Sequence, residues 1–293
     1  MVVVNIIGGL GNQMFQYAFG YAVSRELKTD LVLDLSDFTG YSLHNGFELV
    51  KVFGIEAEAA KNKQLRKVFG FGWKNKKRII LSDRFRLYKL YSSIYKEKSH
   101  SFNSEVFDLK GSMFFHGYWQ TEKYFLKYED EIRRQFSFLG MLDSNNQVIA
   151  DEVVKKNTVS LHVRRGDYVS NTKNHSVHGC CSLSYYQDAI DYIVSNVRAP
   201  IFYVFSDDIS WVRDNLKISF EVIYVDINSG ENSYRDMQLM SMCKHHIIAN
   251  SSFSWWGAWL GGNKSKIVVS PKQWFVNEGM NCLDVIPEGW VRL

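Results

Sequence analysis

The residues best suited to chemistry lie together in His162-Val163-Arg164-Arg165-Gly166-Asp167-Tyr168. A β-rich run, Thr158-Val159-Ser160-Leu161, leads into them, and no comparable apolar run follows at once. That context puts two guanidinium groups and a carboxylate in the loop at the end of a buried strand, where open α/β sheets bind their ligands. Arginine recognises phosphate through a planar, bidentate fork and keeps its charge at neutral pH. Arg164 and Arg165 beside the His162 imidazole therefore point to a phosphorylated ligand, a nucleotide first of all. An architectural reading stands beside this one, in which an Arg–Asp pair only ties down the loop. The embedded Arg-Gly-Asp adhesion tripeptide is disfavoured, because it needs an exposed tip rather than a strand end.

Three further groups have the same context. Residues 2–7 read as a strand ending in Gly8-Gly9-Leu10-Gly11-Asn12-Gln13, and Met14, Phe15, Tyr17, Ala18, Tyr21, Ala22 and Arg25 then follow at helical spacing. Strand, glycine turn and helix bring backbone N–H groups close to an anion or polar substrate, which makes Gly9, Gly11, Asn12 and Gln13 candidates. A tight βα turn alone would also need those glycines. The dinucleotide fingerprint is absent, since its third glycine would fall at Met14. After Ile201-Phe-Tyr-Val-Phe205 come Ser206, Asp207 and Asp208, which can cap the next helix or receive sugar hydroxyls or guanine edges. Asn250, Ser251 and Ser252 open another helix, and its N–H groups and hydroxyls would cradle phosphate without a metal. Trp255, Trp256 and Trp259 behind them have the spacing of packing residues, and His245 and His246 point to opposite faces of a strand entry. No Asp-x-Asp occurs, so the usual carboxylate clamp for a nucleotide-bound cation is missing and no metal is expected.

The elements that position these groups alternate regularly in the second half. Strands are expected at about 158–163, 201–205, 222–225, 246–249 and 266–269, with helices near 183–195, 208–215, 233–243 and 252–261 between them. Such alternation means parallel strands with crossover helices. In the first half, Leu31-Val-Leu-Asp-Leu35 completes an opening βαβ unit with Asp34 and Asp37 at its end. Residues 113–118 resemble another strand, and 121–138 and 144–156 read as helices. Residues 40–110 are less legible. Two α/β domains are expected, 1–155 and 156–293.

Composition sets the frame. With 293 residues, 46% of them hydrophobic and only three prolines, the chain is compact and has ample core. Its four cysteines, two of them adjacent, fit neither a disulfide framework nor a zinc pattern and read as free thiols. The N-terminus carries no basic leader, and no apolar run approaches the roughly 18 residues of a membrane span, so a cytoplasmic protein is expected. The net charge of +4 is uneven: residues 61–98 hold thirteen Lys or Arg against two acids. With Val68, Phe69, Phe71 and Trp73 interspersed, that stretch is a solvated basic face or a peripheral contact with anionic membrane. Nucleic acid is not expected as a partner, because no supporting fold motif accompanies it.

Taken in order, Gly9-Leu-Gly-Asn-Gln-Met-Phe-Gln-Tyr-Ala18, His162-Val-Arg-Arg-Gly-Asp167, Ser206-Asp-Asp208 and Asn250-Ser-Ser-Phe-Ser-Trp-Trp-Gly-Ala258 resemble the successive motifs of bacterial alpha-1,2-fucosyltransferases, glycosyltransferase family eleven. The resemblance spans nearly the whole chain. It implies a GT-B-like α/β fold, two Rossmann-like domains facing each other across a cleft, with GDP-fucose in the C-terminal one. It also implies metal-independent, inverting transfer of L-fucose from GDP-β-L-fucose to the 2-hydroxyl of a terminal β-galactoside, in bacterial surface-glycan synthesis on oligosaccharide or lipid-linked acceptors. By the same resemblance Arg164 holds the β-phosphate of GDP, Arg165 and Asp167 support the loop or the sugar, and His162 and Asp236 contact guanine. Ser251 and Ser252 bind phosphate, and residues 9–13 face the reaction centre from the other domain. The general base stays open among Asp34, Asp37 and Glu48. The alternatives are a different acceptor or linkage, or a non-catalytic glycan- or nucleotide-binding protein.

Overall fold

The computed structural model describes residues 1–40, 44–81, 87–166, 179–276 and 282–293. They form two compact units, Met1–Leu139 with Leu283–Val285, and Gly140–Cys282 with Ile286–Leu293. In the first, the elements run β1 (Val2–Asn5), α1 (Leu10–Glu26), β2 (Leu31–Asp34), α2 (Leu49–Phe53), β3 (Glu58–Ala59), α3 (Asn62–Phe69), α4 (Lys76–Leu81), β4 (Ile94–Lys96), β5 (Met113–His116) and α5 (Glu129–Gln135). The sheet order is β3-β2-β1-β5-β4, and every pairing is parallel. β1 is central and buried along its whole length, which is why its sequence is an unbroken apolar run rather than an alternation. On α3, Leu65, Val68 and Phe69 at helical spacing join Val3, Val32, Ile94 and Phe114 in one core, while Lys63, Arg66 and Lys67 face solvent.

The helix expected over 121–138 is mostly something else. Two 3₁₀ turns, Glu122–Tyr124 and Leu126–Tyr128, precede the seven-residue α5. The Thr121 hydroxyl accepts the Lys123 N–H, and the adjacent rings of Tyr124 and Phe125 are both buried.

The second unit contains α6 (Ser144–Val153), β6 (Thr158–Val163), α7 (Leu183–Asn196), β7 (Ile201–Ser206), α8 (Ile209–Asn215), β8 (Val222–Val225), α9 (Tyr234–Met242), β9 (His245–Ile247), α10 (Ser252–Leu260), β10 (Val268–Ser270) and β11 (Val291–Arg292). Its sheet, order β11-β10-β9-β6-β7-β8, is again parallel throughout. β6 is buried end to end, and the tryptophans of α10 pack inward, with Trp255 and Trp256 completely buried. α6 packs with α9 in this second unit, ahead of the boundary expected at 155. All four cysteines are free thiols, and no helix among the described residues is long and apolar enough to cross a membrane.

Several ionisable groups are held in one protonation state by burial. It lowers His116 and His162 to about 4 and His246 well below its ordinary value, so all three are neutral at pH 7. Between about 4 and the unfolded value of 6.5 the unfolded chain binds more protons, so this stability is lost as pH falls. Glu97 and Asp236, raised by burial to about 7, act in the opposite sense. Thermal unfolding followed by circular dichroism should therefore show the midpoint falling from pH 6.5 to 4.5. The fall should be steeper in Glu97→Gln, which lacks one opposing proton; equal slopes in the two proteins would contradict this assignment.

Candidate active site

Three of the sequence-predicted groups lie on adjacent strands. β9, β6 and β7 are neighbours, so Asn250–Ser252, His162–Gly166 and Ser206–Asp208 leave the sheet side by side at its carboxyl edge. Asp207 organises this edge. Its Oδ2 pairs with Arg164 Nη1 at 2.8 Å, and its Oδ1 accepts the Arg165 N–H at 2.9 Å. Gly166 is required there, because a Cβ would come within 2.5 Å of Asp207 Oδ2.

The two arginines are held differently. Arg165 lies 3.5 Å over the Trp211 ring and 3.4 Å from Asp208 Oδ2. A guanidinium on an indole face gains about 0.5–2 kcal/mol, which fixes Arg165 as a wall of the site. Asp208 is also the cap of α8, accepting the Trp211 N–H, and its own N–H is taken by the Ser206 hydroxyl. The architectural roles foreseen for this segment are thus present, and Arg164 is the guanidinium on the strand-end loop itself. His162 is buried and neutral, and its Nδ1 has no hydrogen-bond partner among the described residues. Asp167 lies outside the described residues.

Asp236 sits in the first turn of α9 and accepts a hydrogen bond from Asn228, which exchanges amide bonds with Asn146 on α6. Burial, with the nearby Asp226 charge, raises it to about 7. The Ser251 hydroxyl accepts the Phe253 N–H as the cap of α10, and Ser252 is its first residue. Asn250 is a buried tie, donating to the carbonyls of Gly179 and Trp274 and accepting from the Cys181 thiol.

In the first unit the glycine loop turns tightly into α1. Gly8 has φ of 82°, where a side chain would be strained and would meet Asn12, and Gly9 is the N-cap of α1, with Gly11 in its first turn. Gln13 is completely buried: it donates to the carbonyls of Gly8 and Gly46 and accepts the Glu48 N–H. It is a latch. Asn12 accepts from Gln120, and Gln16 joins the Ile7 N–H to the Gly117 carbonyl. Glu97 accepts the N–H groups of Tyr118 and Trp119, so the loop after β5 is tied at every residue from 117 to 120.

Sequence reasoning singled out Asp34 and Asp37 but passed over the rest of the polar group at the carboxyl edge of this first sheet. Asn5, Asp34, Asp37, Lys76, Lys77 and His116 line a small surface cavity of about 20 Å³. Lys76 is buried against Asp34, and Lys77 pairs with Asp37 at 2.8 Å. The signal was present, since the apolar runs of β1, β2 and β5 close on Asn, Asp and His. Among the described residues no three His, Cys, Asp or Glu are grouped as a metal site.

Residues 65–293 match the model of glycosyl transferase family 11. The chain belongs to that family. It is 39% identical to the Escherichia coli alpha-1,2-colitosyltransferase over all of this chain and 99% of that protein. It is 34% identical to the E. coli O-antigen biosynthesis glycosyltransferase WbnK, over 98% of each. Among solved structures, the NodZ alpha-1,6-fucosyltransferase, known from Bradyrhizobium and also soaked with GDP-fucose, superimposes with a TM-score of 0.50 at 16% identity. That match covers 88% of this family 11 chain and 92% of NodZ, and it is a likeness of fold.

Gly166→Ala tests the packing of the strand-end loop. The added methyl must displace Asp207, an overpacking cost of about 1–3 kcal/mol that urea unfolding would measure. An unchanged midpoint would mean that Asp207 does not clasp the loop.

Proposed function

We propose that this chain transfers L-fucose from GDP-β-L-fucose to the 2-hydroxyl of a terminal β-galactoside, with inversion and without a metal. The observation that carries the reading is the β9-β6-β7 neighbourhood, which gathers a strand-end arginine, a helix-opening serine pair and two carboxylates on one edge. Its support from relatives is the family itself and the similarly folded NodZ, a fucosyltransferase whose crystal was soaked with GDP-fucose. The two units make up a GT-B-like enzyme, the second binding donor and the first acceptor.

In this reading the fucose C1–O bond breaks as the galactose O2 attacks from the opposite face, and GDP leaves with the bonding electrons. Arg164 neutralises charge growing on the leaving phosphate, a contribution stronger in the transition state than in the ground state. Asp207 holds that guanidinium in place before donor arrives. Ser251 and Ser252 at the α10 N-terminus receive phosphate, His162 and Asp236 receive guanine, and Arg165 supports the loop with Asp167.

A second donor is favoured by one observation, the 39% identity to a colitosyltransferase over the full chain. Colitose is L-fucose without its 3-hydroxyl, so the same edge accepts either unless a group bonds that hydroxyl. Turnover of the two GDP-sugars in competition, with lactose as acceptor and EDTA present, decides between them. Fucose on galactose O2 supports the first reading, and exclusive colitosyl transfer replaces it with the second. Arg164→Ala should lower kcat by roughly 10²–10³, the cost of losing an oxyanion partner, and Arg164→Lys should recover little of it. Near-normal turnover of Arg164→Ala would remove Arg164 from the mechanism.

The enzyme works in the cytoplasm in this reading, peripheral at the inner face of the membrane, where lipid-linked acceptors are built. Lys63, Arg66, Lys67, Lys74 and Arg78 are exposed around a fully exposed Phe71, a composition suited to anionic headgroups with one ring in the acyl boundary. The protein should co-sediment with anionic but not neutral vesicles and be released by high salt. Equal binding to both, independent of salt, would count against it.

A further inference from the structure

The polar group at the edge of the first sheet has an internal logic that fixes the state of one residue. Asp37 Oδ2 accepts from Asn5 Nδ2 at 2.9 Å. A carboxylate offers no hydrogen, so the Asn5 amide must point its nitrogen there and its Oδ1 toward His116. His116 Nδ1 lies 2.8 Å from that oxygen, which only accepts. The proton of the imidazole is therefore on Nδ1, and Nε2 carries a lone pair. Asp37 is the ionised partner in this chain of bonds. Burial pushes it up, but the bonds from Lys77 and Asn5 outweigh that and leave it below the ordinary value.

The remaining polar groups of the cavity are committed. Asp37 Oδ1 pairs with Lys77, and Asp34 pairs with Lys76 and accepts the Ser36 N–H. Glu48 is buried and accepts from Asn45. Of the carboxylates that could serve as a base from sequence, Asp34 and Glu48 are buried, and Asp37, which lines the cavity and is as part-buried as His116, has both oxygens bonded to Asn5 and Lys77. The position of His116 is the end of β5, next to central β1, where the chain order of the sheet reverses and ligands of α/β folds bind. Burial, with Lys96 and Lys76, keeps the ring neutral at pH 7 against the opposing pull of Asp37 and Asp34.

We infer that His116 Nε2 accepts the proton of the attacking sugar hydroxyl, and that Asn5 and Asp37 are positioning residues that hold its tautomer. The inference rests on the glycosyl-transfer function proposed above. In the step, the acceptor oxygen bonds to the anomeric carbon, its proton passes to Nε2, and the nucleoside diphosphate departs with the electron pair of the broken C–O bond. A weakly basic imidazole suits a reaction whose leaving group departs early, because the hydroxyl becomes acidic only as the new bond forms.

The experiment measures acceptor-dependent transfer and acceptor-independent hydrolysis of GDP-fucose side by side. Wild-type turnover comes first; an inert wild type would sink the function and this inference together. His116→Ala should lose roughly 10²–10⁴ in transfer while keeping GDP affinity and slow hydrolysis, and added imidazole should restore part of the rate. Transfer retained by His116→Ala would overturn the role of His116 and leave fucosyl transfer standing. Asp37→Asn removes a charge that favours the protonated ring, so the acid limb of transfer should move to lower pH; an unmoved limb would overturn the positioning role. Nitrogen NMR of the wild-type protein tests the tautomer without any substitution: a hydrogen on Nε2 at pH 7 would overturn the inference even if His116→Ala failed to fold.

Discussion

A strand buried on both faces can carry a polar side chain only where that group is bonded, as Ser160 is to His246 in mid-sheet, or where the strand ends. That constraint governs both units, because both sheets are parallel and covered by helices, and an unpaired polar group inside either would cost several kcal/mol. Chemistry is therefore pressed to the sheet edges. Asn5, Asp34 and His116 are the last residues of their strands in the first unit, and Arg164, Asp207 and Asn250 follow the strand ends of the second. Because parallel strands all point one way, six groups scattered over the sequence become two compact clusters.

The clusters differ in kind. On the second sheet a fixed positive charge is held ready by carboxylates: Asp207 orients Arg164, and Asp208 with Trp211 immobilises Arg165. Two guanidinium groups so close would repel without those partners, and a half-buried Arg–Asp pair is costly to break from one side only. In the proposed function an arriving diphosphate takes over the guanidinium while Asp207 keeps its backbone bond to Arg165, so the loop need not unfold to change partners. On the first sheet the charges likewise cancel, as Lys–Asp pairs, and a neutral ring stands beside them.

Much of this was legible in the sequence, for a physical reason. In the second unit, short apolar runs alternate with helical spacing, and strands 158–163 and 222–225 fall where the pattern puts them. The strand-end motifs could be read because each follows such a run directly. The first unit was harder. Its cluster joins residues 111 positions apart, Asn5 and His116, and only the register of β1 with β5 brings them together. Gln13 illustrates the opposite error: its motif suggested a ligand-facing residue, whereas its side-chain hydrogen bonds are all spent inside the fold. Motif membership shows that a residue matters to the loop without saying which way its side chain turns.

Glu97 extends the point from single residues to the loop as a whole. It lies one residue beyond β4 in a region whose basic charge dominates its appearance, yet it is the group that receives the N–H bonds of Tyr118 and Trp119. Trp119 has φ of 57°, an unfavourable conformation for a bulky side chain, and it is completely buried. A backbone held in that conformation needs bonds that outweigh its strain, and Glu97, Gln16 and Gln120 supply them on three sides. The segment so fixed begins directly after His116. Its rigidity holds the end of β5 in register with Asn5, so the acid beside the loop and the amide beside the ring serve one geometry. Burial raises Glu97 to about 7, so this support is about half charged at neutral pH and fully charged only well above it.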